Sequence, residues 1–395
     1  MTLDLSRVIT QITDMVATVD PDHDRHRFDA LRHLWETLDS NEVNSRLSNA
    51  KTSFLYASGS SDYRRVHALP ALPDSFGVVA TDGSMIVPDR HSPARYYLIN
   101  TGTVHLRYGE SPAAVMSATP DLRYAEDDLW VDTEARKLPV NDTILGLRRA
   151  VAELQAAAEA LQSERLPSVA FVDGTLILWA LESLDKPIVE PLLKSYVQAL
   201  EAFTSLNQPV AGYISSPGAT DLLGTLRVAI CDYPDMGRTI DCNDCWKQLT
   251  EHGQIPHCEI LPRVTDRYIV SQIAAIAPGQ RTNVFPGRSK ILARYGDDQW
   301  VEFFYLHTGR EIARIEVPRW VARDPELLDR VHSVEFDQAQ LGRGYPVALQ
   351  EAHEQAVLSM ADRRLVEETI ERRLASHGVI VSHTGKDGSK RGRFV

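Results

Sequence analysis

The chain has 395 residues, of which 43% are hydrophobic and 24% are charged, and its formal net charge is −12 at pH 7. This composition is typical of a globular protein with ample material for a core, and the acidic balance argues against a generally basic nucleic-acid-binding protein. A nuclease stays compatible with it, because a local cationic groove can lie on an acidic body. No apolar run approaches the ~18 residues of a membrane span and no signal-peptide pattern opens the chain, so we expect a cytoplasmic protein.

Four regions are predicted along the chain. Residues 1–72 form an N-terminal helical region, since apolar residues there recur at spacings of three and four. Residues 73–375 form the main α/β domain, with a cysteine-rich insertion at 231–258. Residues 376–395 are glycine-rich and basic, a composition typical of a flexible tail. The apolar positions of the first predicted helix are Leu5, Val8, Ile9, Ile12, Met15 and Val16.

Two segments of the main domain share one pattern, in which an apolar strand is followed by aspartate, glycine and a small hydroxyl residue. The first runs from Val78 through Asp82 to Ser84, and the second from Val169 through Asp173 to Thr175. We expect Gly83 to turn the chain sharply just after Asp82. Strands lying side by side would place Asp82 and Asp173 together at one edge of a sheet. Asp-Gly is also ordinary turn chemistry, but a carboxylate beside a buried edge is costly without a partner, so two occurrences favour function.

A carboxylate pair of this kind suits divalent-metal chemistry on phosphate. Hard oxygen ligands select Mg²⁺ or Mn²⁺ rather than zinc, and such ions activate water and stabilise the leaving oxygen in phosphodiester cleavage. Glu153, on a helix predicted over 142–162, is the candidate third carboxylate, with Glu159 as its rival. His353 is a metal ligand, a general acid or a packing residue, and sequence spacing leaves these alternatives open.

The predicted strands indicate a fold class. Residues 94–107 have the β-branched and aromatic content of two strands joined at Asn100-Thr101-Gly102. A strand carrying an aspartate, followed by an antiparallel pair, is typical of a ribonuclease-H-like mixed sheet flanked by helices. No element is predicted over 113–140. Further helices are expected over 176–184, 188–204, 222–230, 267–276 and 348–374, and further strands over 210–214, 300–306 and 312–317.

All four cysteines lie in one short window with the spacing Cys-x10-Cys-x2-Cys-x12-Cys. In a cytoplasmic protein such clustering favours a metal over disulfides. Tetrahedral structural zinc fits the central pair, a [4Fe–4S] cluster accepts the same thiolates, and four unrelated buried cysteines are the remaining interpretation. Polar neighbours favour an exposed loop and therefore zinc. The residues are Cys231, Cys242, Cys245 and Cys258.

An ordered set of short motifs resembles the NurA nuclease family over about residues 75–370. The motifs are Thr81-Asp82-Gly83-Ser84, Arg148 to Glu153, Val172 to Leu176, Gly212 to Ser215, and Gly344-Tyr345-Pro346 with Ala352-His353. The resemblance departs from the family at Ser216, where many members carry a lysine, and at the cysteine window. A missing cation at position 216 would weaken phosphate contact without abolishing catalysis.

The resemblance implies a NurA-like nuclease domain with a ribonuclease-H-like core. It implies a manganese-dependent DNA nuclease, with 5′–3′ exonuclease and single-strand endonuclease activity, that resects double-strand-break ends with a hexameric HerA-type ATPase. It also implies a homodimer enclosing a DNA channel. The implied metal-site residues are Asp82, Glu153, Asp173 and His353, with Tyr213 beside the site. The alternatives are a non-catalytic DNA-binding scaffold and an enzyme acting on RNA or on RNA–DNA hybrids.

Overall fold

The computed structural model describes residues 3–17, 21–89, 94–133, 136–233 and 239–378. Residues 379–395, most of the predicted basic tail, lie outside the described residues. The helices are α1 (Leu5–Ala17), α2 (Pro21–Thr37), α3 (Ser40–Ser48), α4 (Glu126–Leu129), α5 (Asp142–Leu161), α6 (Lys186–Leu206), α7 (Asp221–Ala229), α8 (Cys242–Glu251), α9 (Asp266–Tyr268), α10 (Arg319–Arg323), α11 (Pro325–Leu341), α12 (Val347–Ala356) and α13 (Met360–Ser376). The strands are β1 (Val66–His67), β2 (Phe76–Ile86), β3 (Tyr97–Tyr108), β4 (Ala113–Arg123), β5 (Trp130–Asp132), β6 (Lys137–Pro139), β7 (Ser168–Asp173), β8 (Val210–Ile214), β9 (Arg281–Thr282), β10 (Phe285–Pro286), β11 (Val301–His307) and β12 (Ile312–Pro318).

The chain divides into two compact units. The first is drawn from Met1–His67, Ser216–Ala277 and Thr282–Arg288, and the second from Ala68–Ser215, Pro278–Arg281 and Ser289–Val395. The first unit therefore combines N-terminal helices with the segment that carries the cysteines. The predicted domain limits at residues 72 and 375 stay predictions. Across the described segments, no helix combines the length and the hydropathy that crossing a membrane requires.

The second unit is built on a mixed sheet with the strand order β11-β12-β8-β7-β2-β3-β4. The strands β2, β7 and β8 run parallel to one another, whereas β3, β4, β12 and β11 pair antiparallel to their neighbours. The predicted α/β fold with a central mixed sheet is confirmed. A strand carrying an aspartate is followed by an antiparallel pair, but that pair is β3 and β4, whereas the sequence predicted both of its strands within 94–107.

The helix α5 covers β2 and carries one of the candidate site residues. Asn141 caps it by accepting a hydrogen bond from the Ile144 backbone N–H, which satisfies a donor that the first helical turn leaves unpaired. Leu147, Leu154 and other apolar residues of α5 are buried against the sheet and α6. Each such side chain stabilises the fold by roughly 1.5–3 kcal/mol on burial, so the core fixes the rotation of α5 over β2.

Two glycines that were expected in turns lie inside strands. β2 continues through Gly83 to Ile86, and β3 continues through Gly102, so the predicted turn after Asp82 and the predicted break at Asn100-Thr101-Gly102 are both wrong. A Cβ on Gly102 would lie 2.4 Å from the Ala352 carbonyl oxygen. Glycine is present there because α12 packs directly on the strand backbone.

Other predicted boundaries also need correction. The segment 113–140, for which no element was predicted, contains β4, α4, β5 and β6. The strand β4 pairs with β3 over its whole length and has every residue exposed. The helix expected over 348–374 is two helices, and the residues expected to form a helix over 267–276 form α9 and a π-helical segment, Ile269–Ile273. The helix expected over 176–184 is only a short 3₁₀ turn, Trp179–Ser183.

Candidate active site

Asp82 and Asp173 occupy equivalent positions on two adjacent parallel strands. In the register of β2 and β7, Thr81 lies opposite Val172, so each aspartate is the next residue along its strand. The chain then turns only after Asp173, where Gly174 adopts a φ of +100°, a conformation that glycine adopts without strain. Equal register and equal strand direction direct both carboxylates to the same face.

Glu153 joins this pair from α5. Its side chain is buried, and a Cβ on Gly83 would lie 2.6 Å from Glu153 Oε1, so glycine at this position gives the carboxyl its space. Burial raises the pKa of Glu153 to about 8; Arg149 opposes this shift, whereas Asp82 and Asp173 add to it. The rival, Glu159, is exposed on the same helix.

Asp82 is held between a histidine and an arginine. His353 Nδ1 lies 2.7 Å from Asp82 Oδ2, and Arg149 Nη1 lies 3.7 Å from Asp82 Oδ1. Because an ionised carboxylate can only accept hydrogen bonds, His353 carries its hydrogen on Nδ1, and Nε2 is its other ring nitrogen. The His353 side chain is 62% exposed, so the imidazole lies at the mouth of the site. Arg149 Nη1 is also 3.3 Å from Glu153 Oε1.

Asp173 is hydrogen-bonded by Tyr345, a residue of the Gly344-Tyr345-Pro346 motif that was not predicted as a site residue. Burial raises the pKa of Asp173, a hydrogen bond from Tyr345 opposes the shift, and the Asp82 charge adds to it. Tyr213, the tyrosine expected beside the site, donates instead to Glu311 Oε1 at 2.8 Å and to the Gly344 carbonyl oxygen at 3.3 Å. Its ring contacts that of Tyr345 edge-on at 5.3 Å between centroids.

The structure thus brings Asp82, Glu153, Asp173 and His353 together. Tyr213 lies behind Tyr345, which is the residue that bonds to Asp173. Two residues at the site, Arg149 and Tyr345, were not predicted, and the sequence contains a signal for only one of them. Arg149 precedes Glu153 by four residues, a spacing that places both on one helix face, so it was predictable. Nothing in the Gly-Tyr-Pro segment indicates that Tyr345 faces Asp173.

The donor set fits a hard divalent cation. Three carboxylates converge, and Glu153 Oε1 is buried without a hydrogen-bond partner among the described residues, so a cation there would satisfy an otherwise costly group. As the described side chains stand, however, no three His, Cys, Asp or Glu residues are grouped to hold a metal ion. At the site, Asp82 is hydrogen-bonded with His353, and Asp173 accepts a hydrogen bond from Tyr345, so each aspartate has a protein partner.

The four cysteines gather in the first unit as free thiols. Burial, followed by the charges of Cys231, Cys258 and Cys242, raises the pKa of the Cys245 thiol to about 11. Burial and Cys231 likewise raise the pKa of Cys258 to about 11. The thiols are therefore neighbours, but the predicted zinc site is not formed among the described side chains, and zinc binding stays a prediction.

Comparisons with known proteins agree with the motif resemblance. The model of the family described as "NurA domain" matches residues 76–358, which confirms the predicted resemblance. The crystal structure of the NurA nuclease from Sulfolobus solfataricus matches with a TM-score of 0.53 at 12% identity, over 95% of this chain and 98% of that chain, which shows a shared fold. A crystal structure of NurA with manganese matches at 13% identity over 94% of this chain and 98% of that chain, but its TM-score of 0.40 is too low to support an argument. None of the curated proteins matches the chain.

Proposed function

The chain belongs to the NurA family, and we propose that it is a metal-dependent deoxyribonuclease that hydrolyses phosphodiester bonds at the cluster Asp82, Glu153, Asp173 and His353. The observation that carries this proposal is the proximity of three carboxylates from β2, α5 and β7, since the charges of Asp82 and Asp173 both act on Glu153. Carboxylate oxygens favour Mn²⁺ or Mg²⁺, which is why we propose manganese as the cofactor.

When bound, a divalent ion supplies Lewis acidity, activating water and stabilising the leaving oxygen. Asp82, Glu153 and Asp173 provide the oxygen atoms that hold it, and Tyr345 orients Asp173 through its hydrogen bond. The water oxygen bonds to phosphorus, the bond from phosphorus to the leaving deoxyribose oxygen breaks, the water gives up a proton and the leaving oxygen takes one. His353, oriented by Asp82, has the lone pair of Nε2 available to complete the ligand set or to take up the proton that the water releases and pass it to the leaving oxygen.

The test compares two glutamates on one helix. Glu153→Gln and Asp82→Asn are expected to abolish Mn²⁺-dependent cleavage of labelled DNA, because each removes a ligand charge at nearly constant shape. Glu159→Gln, on the exposed side of α5, should cleave like the wild type. Wild-type cleavage by Asp82→Asn would refute the site. If the wild type neither binds Mn²⁺ nor forms product, the protein is a non-catalytic scaffold. If it cleaves RNA or RNA–DNA hybrids in preference to DNA, those nucleic acids are its substrate.

The finer features of the function rest on the family resemblance. We propose 5′–3′ exonuclease and single-strand endonuclease activity in end resection, a cytoplasmic location, a homodimer around DNA, and a HerA-type ATPase partner. Degradation of DNA labelled at either end gives the polarity. Light scattering gives the oligomeric state, and co-purification with a HerA-type ATPase tests the partnership, whose absence would leave a stand-alone nuclease.

We also propose that Cys231, Cys242, Cys245 and Cys258 bind one structural zinc ion. Their proximity as free thiols supports this, because thiolates are the ligands of structural zinc sites and lose their protons when the metal binds. Elemental analysis should give one zinc per chain, and Cys245→Ser should lose it. Brown colour with iron in the sample would identify an iron–sulfur cluster instead, and a metal-free protein would refute the proposal.

A further inference from the structure

An arginine lies among the proposed metal ligands. Arg149 precedes Glu153 by four residues on α5, and its Nη1 lies 3.3 Å from Glu153 Oε1 and 3.7 Å from Asp82 Oδ1. The same nitrogen donates a hydrogen bond of 2.5 Å to the carbonyl oxygen of Gly83. A positive charge is therefore anchored to the backbone of β2 where two of the carboxylates meet.

The backbone of β2 leaves space for this side chain. A Cβ on Gly83 would lie 2.7 Å from Arg149 Cγ and 3.1 Å from its Cδ. At these distances the Arg149 side chain would have to move to make room for it. The Arg149 side chain is 35% exposed, so it extends from the carboxylate cluster to the protein surface. Its Nε has no hydrogen-bond partner among the described residues, so protein groups do not use its full donor capacity.

The two kinds of contact made by Arg149 differ in length. The carboxylate distances of 3.3 and 3.7 Å exceed the ~2.7–2.9 Å of a charge-assisted hydrogen bond, whereas the bond to Gly83 is short. Asp82 and Glu153 can therefore turn towards a metal ion while the guanidinium keeps its backbone anchor. After that exchange, the arginine would be a cation beside the metal with unused donors.

Charge balance favours this arrangement. Asp82, Glu153 and Asp173 carry three negative charges when ionised, and one divalent ion together with Arg149 supplies three positive charges. Before DNA binds, a second metal ion is therefore not needed for neutrality. The planar guanidinium also matches the geometry of phosphate oxygens, and an arginine is a common stabiliser of charge in phosphoryl transfer.

We propose that Arg149 is the second cation of the site: it balances the charge of Asp82 before one divalent ion binds, shares the charges of all three carboxylates with that ion afterwards, and then binds a non-bridging oxygen of the DNA phosphate. This rests on the proposed nuclease function. The arginine forms and breaks no covalent bond, so hydrolysis proceeds with the same bond changes.

The first experiment measures Mn²⁺ binding to the full chain by titration calorimetry. The wild type is expected to bind one ion at this site, and Arg149→Met should bind it about tenfold more tightly, because a positive charge near the ion is removed. Arg149→Lys keeps the charge and should stay within a few-fold of the wild type. The matched control is Arg148→Gln, since Arg148 on the same helix bonds instead to Tyr97 Oη and the Asp128 carbonyl oxygen.

The second experiment measures binding of a fluorescein-labelled single-stranded DNA as a function of salt. Ca²⁺ replaces Mn²⁺ as a hard cation of the same charge, and a gel verifies that the DNA stays intact. Loss of one phosphate contact should reduce the slope of log affinity against log salt by about 0.7 in Arg149→Met and weaken binding about 10- to 100-fold. Arg148→Gln should keep the wild-type slope.

A purely structural arginine would give a different result, because its loss would weaken metal and DNA binding together. Three results would each refute the role of Arg149 without refuting the proposed nuclease function. They are a joint loss of metal and DNA binding in Arg149→Met, an unchanged salt slope in that variant, and the loss of two Mn²⁺ ions together in Asp82→Asn. Cleavage by Asp82→Asn with normal Mn²⁺ binding would instead overturn the proposed function. If Arg149→Met does not fold, Arg149→Gln removes the charge and retains a donor for the Gly83 carbonyl.

Discussion

The contact between Gly102 and α12 gives a quantitative test of how the fold supports the site. In Gly102→Ala, the new Cβ would lie 2.4 Å from the Ala352 carbonyl oxygen and 2.6 Å from the Ala356 backbone nitrogen. Both are backbone atoms, so no side-chain rotation relieves the clash. Since ordinary contact begins near 3.4 Å, the helix and the strand must separate by about 1 Å.

This separation acts on the hydrogen bonds that tie α12 to the sheet. The Ala356 carbonyl oxygen accepts from Ser84 Oγ at 2.6 Å and from Asn100 Nδ2 at 2.8 Å, and an added 1 Å takes both beyond hydrogen-bonding distance. Overpacking costs about 1–3 kcal/mol, and each lost bond costs about 0.5–1.5 kcal/mol. We expect Gly102→Ala to lower the free energy of unfolding by about 2–6 kcal/mol.

Urea denaturation followed by tryptophan fluorescence measures this loss. The control is a second glycine-to-alanine substitution that should stabilise the chain instead. Gly146 lies within α5 with nothing within 4 Å of an added Cβ, so Gly146→Ala should stabilise the chain by about 0.5–1 kcal/mol through helix propensity. Because His353 is on α12, Gly102→Ala should also weaken Mn²⁺ binding, whereas Gly146→Ala should not. Equal denaturation midpoints for Gly102→Ala and the wild type would refute the reasoning.

Three further predictions concern single side chains. Burial acts to raise the pKa of Glu164, but hydrogen bonds from the Leu166 backbone and from Arg107 lower it to about 2. The ionised carboxylate therefore stabilises the fold above pH ~4.3, and this contribution is lost as the pH falls towards 2. In denaturant titrations, Glu164→Gln should cost about 1–3 kcal/mol at pH 7 and nothing near pH 2. Tyr345→Phe removes the hydrogen bond to Asp173 and should weaken Mn²⁺ binding by about 10- to 100-fold in calorimetry, and wild-type affinity would contradict that role. Gly83→Ala should reduce cleavage with little change in helical circular dichroism, because its Cβ displaces Glu153 and Arg149; full activity would contradict the close packing.

The carboxylate pair was predictable because strand, aspartate and glycine are adjacent in the sequence. The structural role of each glycine could not be predicted. Gly174 allows a turn, whereas Gly83 and Gly102 allow close packing, and only the tertiary neighbours distinguish the two roles. The strand β4 has no buried face of its own and forms by pairing with β3, so no hydrophobic alternation marks it. The break between α12 and α13 did carry a signal, a capping box at Ser359 and Asp362, which the apolar periodicity obscured.

The protein contacts of the three carboxylates differ, and this difference indicates where a cation gains most. Asp82 accepts hydrogen from His353, and Asp173 accepts from Tyr345, so both aspartates are already satisfied and oriented by protein donors. Glu153 Oε1 is buried, has no hydrogen-bond partner among the described residues and faces only the longer contact with Arg149. Because an unsatisfied buried oxygen costs free energy that a cation would recover, metal affinity should depend more on Glu153 than on either aspartate. The aspartates then fix the position of the ion, and the helix that carries Glu153 also carries the arginine that the ion replaces as the partner of Asp82 and Glu153.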